Sequence, residues 1–293
     1  MTSAVLTVPK SSSSPTWQRL REALRRHPTA IVGSIVLAVM VLIALLAPWL
    51  GTVDPQALSP IQRLRAPSQA HWFGTDMLGR DVYSRVIYGS RISVTVGIAV
   101  AALSIAIGLA IGLVTGFIRW LDAIVMRVMD GLMSIPSVLL AIALMALTKA
   151  SVGNVIVAIT LAEVPRVVRL VRGLVLSLRE QPFVEAAIAA GTSLPLILLR
   201  HILPNTLAPL LVQGTYICAS AMITEAILSF IGAGTPPNIP SWGNIMAEGR
   251  SLFQIASYLI LYPGIFLSLT VLAVNLLGDG MRDALDPRLA RRM

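Results

Sequence analysis

Charge is the scarcest property of this chain. Of its 293 residues only 13% are charged, while 56% are hydrophobic. Soluble domains carry roughly a quarter charged residues, so the deficit argues against a water-soluble globular protein. Lysine is nearly missing, with Lys10 and Lys149 alone. Neither stands in a glycine-rich phosphate loop, so the chain is not itself a Walker-type ATPase. The single cysteine, Cys218, leaves nothing for a disulfide. Inside an apolar stretch it reads as a small buried hydrophobe. The three histidines, His27, His71 and His201, are too scattered for metal-ligand spacing. No nucleophile–base pairing accompanies them, so neither an enzyme nor a metal or cofactor site is expected. The net charge of +9 would suit nucleic acid, but in so apolar a chain the informative question is on which side of a membrane the cations fall.

What the chain does have is long uncharged runs: Pro28 to Val53, Ile92 to Ile118, Gly131 to Thr148, Ile202 to Thr224 and Ser251 to Gly278. A helix needs about 20 apolar residues to cross the hydrocarbon core. In lipid the backbone must satisfy its own hydrogen bonds, so such runs read as helices, whereas barrel strands would be shorter and alternately polar. The expectation is an all-α polytopic membrane protein with six transmembrane helices, near 30–50, 92–118, 124–148, 152–175, 205–230 and 257–278. A polar, basic tail (1–27) precedes the first helix (28–50), and a loop (51–91) follows it. The stretch Leu78 to Tyr88 in that loop is amphipathic and is expected to lie flat at the lipid surface. The five later spans occupy 92–278, and a charged tail (279–293) closes the chain. With the N-terminus in the cytoplasm, sixteen of the 23 Lys and Arg residues fall inside and seven outside. The positive-inside rule therefore puts both termini in the cytoplasm.

Segment 177–204 interrupts the apolar pattern on that cytoplasmic side. Pro182 suits the first turn of a helix, and Glu185 in that turn complements the helix dipole. Ala186, Ala187, Ala189 and Ala190 favour helix and leave a small, smooth surface. Gly191 is placed to end the helix. Thr192 or Ser193 is positioned to cap a second short helix bearing Pro195, and Pro204 marks the start of the fifth span.

Glu185-Ala186-Ala187, three residues, Gly191, nine residues, then His201-Ile-Leu-Pro204 resembles the EAA loop of permeases in binding-protein-dependent ABC importers. The segment from His71-Trp-Phe-Gly-Thr-Asp-Met-Leu-Gly to Arg80-Asp81, with Ser84-Arg85 and Gly89-Ser-Arg91, is similar to the external segment of the C-type permeases of the dipeptide/oligopeptide/nickel subfamily. So are Asp130, Ser134 and Pro136, then Pro165, Arg166, Arg169 and Gly173. Leu228-Ser-Phe-Ile-Gly-Ala-Gly234, Ser241-Trp-Gly243 and Asn275-Leu-Leu-Gly-Asp279 extend the likeness, which covers roughly 28 to 290. One departure is the acid in Glu163-Val164, ahead of Pro165.

The resemblance implies the MetI-like fold of type I ABC importers in the bacterial inner membrane, with 92–278 as the permease core and 177–204 as the coupling loop. Glu185, Ala186, Ala187, Gly191, His201 and Pro204 would then form the docking element for a cytoplasmic ATPase. It implies a sister permease, two ATP-binding cassette subunits that hold ATP and Mg, an extracytoplasmic solute-binding protein and surrounding membrane lipid. The expected cargo is a di- or oligopeptide, with a nickel chelate or another small solute as the alternative. A proton-coupled secondary transporter and a scaffold without transport are the readings from other classes. Among intramembrane acids, Glu163 either pairs with Arg166 or Arg169 at helical spacing or faces the pathway. Glu225 and Ser229 are expected at the pathway or a subunit interface, and Arg127 and Asp130 near the cytoplasmic mouth.

Overall fold

A computed structural model describes residues 28–285. The tail 1–27 and residues 286–293 lie outside the described residues, and with them His27 and most of the charged C-terminal tail. The regular structure of the described residues is helical, and the single strand-like pairing among them is one bridge, Thr75 to Asp81.

Helix α1 (Pro28–Leu46) ends in a 3-10 turn (Ala47–Trp49). α2 (Val82–Phe117) has 36 residues and rises about 54 Å. It starts ten residues earlier than expected, because Asp81 caps it by accepting a hydrogen bond from the Ser84 amide at 2.8 Å. The stretch Leu78 to Tyr88 therefore does not lie flat on the lipid. Most of it forms the first turns of α2, with Val82, Arg85, Val86 and Ile87 buried, since its cations find acids inside the protein.

The third expected span is broken. α3 (Arg119–Met133) and α4 (Ser137–Ala146) meet at 87°, because Pro136 offers no N–H and pushes Ile135 out of helical geometry. α5 (Val152–Leu178) runs through Pro165 uninterrupted. The short α6 (Pro182–Ala189) and α7 (Leu194–Ile197) follow, then a π-turn (Leu198–Ile202) leading directly into α8 (Leu203–Phe230). α9 (Trp242–Gly249) is a short helix before α10 (Tyr258–Leu285). Among the described residues, four helices are long and apolar enough to cross a membrane, or five if the bent pair counts as one span. α5 has the length but carries Glu163, Arg166, Arg169 and Arg172.

α2 and α5 make the most extensive helix pairing. Both run in the same direction, and Gly108, Gly112 and Gly116 of α2 face Val167, Val171 and Val175 of α5. A Cβ at Gly108 would come within 2.5 Å of Val167 Cβ, and one at Gly112 or Gly116 within 2.6 Å of its valine. Small residues four apart let the backbones approach closely, which is how helices gain packing in lipid, where no water drives them together. The three valines are fully buried and belong to a core shared with α8. α1 lies against α10 in a similar way, where a Cβ at Gly33 would meet Leu276 Cβ at 2.8 Å.

Candidate functional site

Three polar regions stand out against this apolar frame. The first is the segment between α5 and α8. α6 starts with Pro182 at its first helical position and carries Glu185 in its first turn. It ends in a Schellman arrangement: the Gly191 amide donates to Ile188 O at 2.9 Å and the Thr192 amide to Ala187 O at 3.1 Å. Gly191 sits at φ +76° with open space around it. A glycine is favoured there by backbone conformation rather than by crowding.

Val184 is buried and Ala187 half-buried, both against the core that holds Val175, Ile197 and Ile202. These two residues anchor the helix. Phe183, Glu185, Ala186, Ile188 and Ala189 face outward. Of the sequence-marked positions, Glu185, Ala186 and Gly191 thus lie on the free face and Ala187 on the anchored one. His201 lies in the π-turn, beside Phe183 with ring centroids 6.4 Å apart, and Pro204 is exposed in the first turn of α8. Phe183 and Ile188, two exposed apolar side chains flanking the alanines, are not among the residues the sequence marks. Their signal is that one short helix needs few anchors, so its remaining apolar residues must face out. The π-turn has no sequence signal we can identify; such turns cluster at functional positions.

The second region caps the opposite end of the bundle. Asp76 Oδ2 accepts from Arg80 Nε at 2.6 Å and from Arg85 Nη1 at 2.5 Å. Glu248 of α9 accepts from Arg80 Nη2 at 2.8 Å and Arg85 Nη1 at 2.6 Å. Asp76 and Arg85 are essentially sealed from solvent, at 0% and 1% exposure. Two cations against two acids leave this buried cluster neutral, as burial requires. Gly74, at φ +78°, lets the loop pass within 2.8 Å of the Tyr258 ring, measured from a notional Cβ. The Tyr258 hydroxyl donates toward Thr75 O at 2.9 Å. Segment 54–81 is thereby clamped to α9 and α10.

The third region is intramembrane. Glu163, 2% exposed, accepts from Arg166 Nη1 at 2.8 Å, with Ser220 of α8 at 3.5 Å from its other oxygen. The helical pairing expected from sequence is the one observed. Glu225 is fully buried, taking hydrogen bonds from Ser229 Oγ at 2.8 Å and Ser93 Oγ at 3.3 Å. The chain of polar groups continues through Thr235, Ser241 and Asn244 into α9. Glu163, Glu225 and Ser229 thus all turn into the protein, and contact with a passing solute would require uncovering them. Asp130 and Asp122 of α3 instead pair with Arg169 (2.6 Å) and Arg172 of α5, toward the end of the bundle that bears α6. Among the described residues, no cluster of His, Cys, Asp and Glu has the makings of a metal site.

This arrangement of spans around a short, small-sided connecting helix has a counterpart. Residues 86–291 match the family described as binding-protein-dependent transport system inner membrane component. The chain belongs to that family. Residues 15–67 of the permease also match the N-terminal transmembrane domain of oligopeptide transport permease C. A probable peptide ABC transporter permease of Sinorhizobium fredii is 54% identical over 98% of this chain and 99% of its own length. A dipeptide transport system permease of Alkalihalophilus pseudofirmus is 40% identical over 93% of this chain and 90% of its own. A glutathione transport system permease of Salmonella typhimurium is 44% identical over 93% and 89%. Among solved structures, the inward-facing MetNI methionine ABC transporter aligns with a TM-score of 0.58, covering 69% of this chain and 96% of the matched one. At 20% identity that likeness speaks to the fold alone. The resemblance to C-type permeases and the MetI-like fold expected from sequence are both borne out.

Proposed function

We propose that the permease forms, with a sister subunit, the membrane pathway through which peptides delivered by an extracytoplasmic binding protein enter the cell. ATP and Mg are held by two partner ATPases, and this chain contributes no catalysis. Peptide cargo is supported by relatives whose names specify peptide, dipeptide and glutathione transport. The observation that carries the mechanism is the free face of α6. Phe183, Ala186, Ile188 and Ala189 make a low, apolar face that a groove on a partner can accept. Glu185 and Gly191 set its start and end. Closing of the ATPases on ATP would pull α6 and, through the π-turn, α8, so that a two-state bundle is biased by a ligand bound elsewhere.

Both termini are assigned to the cytoplasm on the charge asymmetry of the loops. The test is uptake in reconstituted vesicles. Glu185→Lys should insert normally, assemble with the other permease and lose ATP-driven peptide uptake. Unchanged uptake by this variant would remove α6 from the mechanism.

A further inference from the structure

α5 has one uncovered face, and its character changes halfway along. Val157 and Leu161 are exposed on its outer half, and Arg166, Arg169, Gly173 and Ser177 on its inner half. Residues at spacings of three to five form a single stripe, while the opposite face is buried against α2 and α8. Arg166 and Arg169 are each 51% exposed. Arg166 lies 14 residues after Val152 and 12 before Leu178, about 21 Å and 18 Å from the two helix ends. It therefore sits near the middle of the helix, which in a helix crossing the bilayer is too deep for the side chain to reach a headgroup. Such a charge is not left facing lipid tails.

Each guanidinium has five donors. The contacts described above, to Glu163 and to Asp130, use only part of that set. The remaining donors point to an anion. Around Gly173 there is open space, so a small ligand can sit one helical turn below Arg169.

We propose that this stripe is the permease's wall of the translocation pathway, and that Arg166 and Arg169 receive the carboxylate terminus of the passing peptide. The inference rests on the peptide-importer reading above. Planar guanidinium forks suit a carboxylate in geometry as well as charge, and successive sites 4–5 Å of rise apart hand the anion inward rather than trapping it. Glu163, sealed behind Arg166, holds that side chain in place and is a positioning residue.

The test uses the whole importer in inside-out membrane vesicles, where the bath reaches the cytoplasmic mouth without a binding protein. Gly173→Cys, placed in a Cys218→Ala chain, is the reporter. An anionic, water-soluble thiol reagent should label it faster than a cationic one of the same size. A dipeptide with a free carboxylate should slow labelling about tenfold more than its C-terminal amide, the scale of one hydrogen bond to a charged group. Both differences should vanish with Arg166→Gln and Arg169→Gln, made together with Glu163→Gln so that no buried acid is stranded. Failure of water-soluble reagents to reach the introduced thiol of the Gly173→Cys chain, while a lipid-soluble one does, would overturn the pathway assignment. So would failure of both, which would mean the sister subunit covers the stripe. Equal protection by acid and amide would overturn carboxylate recognition. Loss of ATP-driven peptide uptake in the unmodified importer would instead fault the functional reading, and labelling does not depend on that result.

Discussion

At the scale of single residues, the sharpest constraints are buried charges. Asp76 is sealed from solvent with Arg80, Arg85 and two backbone amides around it. Replacing Arg85 by Ala leaves the acids short of a cation in a closed site, which costs about 3–5 kcal/mol where a buried pair is broken. Thermal unfolding of the purified permease should register that loss, while Arg63→Ala, at an exposed position, should leave the midpoint unchanged. Gly191 is constrained differently. Valine at φ +76° meets no neighbour but forces a β-branched residue into the left-handed region, at about 1–2 kcal/mol. Gly191→Val should therefore insert and assemble yet cut uptake about tenfold, the effect of 1.4 kcal/mol on a rate. Gly191→Asn, which tolerates that conformation, should retain more. Glu225 admits a third comparison. Glu225→Gln keeps an acceptor oxygen for one of the Ser93 and Ser229 hydroxyls and offers an NH2 donor to the other, whereas Glu225→Ala removes the partner of both, so the second should lower thermal stability more.

At the scale of elements, the α2–α5 seam is the most demanding contact. Gly112 has Val171 Cβ 2.6 Å from where its own Cβ would be. Gly112→Leu should destabilise the permease by about 1–3 kcal/mol through overpacking, and Val171→Ala in the same chain should recover part of it, as a shared-contact cycle predicts. The seam also shows what sequence reading reaches. Length and the absence of charge locate α1, α8 and α10, and Pro182, Glu185 and Gly191 locate α6, because each rests on local chemistry. The break between α3 and α4 is not legible in the same way, since an uncharged run says nothing of direction and Pro136 reads only as a kink. The true start of α2 is hidden for another reason: Arg80 and Arg85 look like surface cations until Asp76 and Glu248, the latter 163 residues from Arg85, are brought beside them. Long-range pairing of that kind leaves no periodic trace. The exposure pattern of α5 likewise needs the neighbours in place.

For the molecule as a whole, the two polar regions outside the bundle core sit at opposite ends of one rod. From Leu194 to Phe230 the helix is continuous over 37 residues, about 55 Å. One end adjoins α6. At its far end Ser229 joins Thr235, Ser241 and Asn244 of the segment leading into α9, and Gly243 packs so closely that a Cβ there would lie 2.7 Å from Ala226 Cα. A rod held at both ends makes the bundle a lever rather than a hinge. Thermodynamic linkage makes any coupling between its two ends two-way for binding equilibria. On the reading proposed above, a binder on the outer cap that favours one position of this helix would alter how tightly the ATPases hold nucleotide, by the same factor that nucleotide alters grip on the outer visitor.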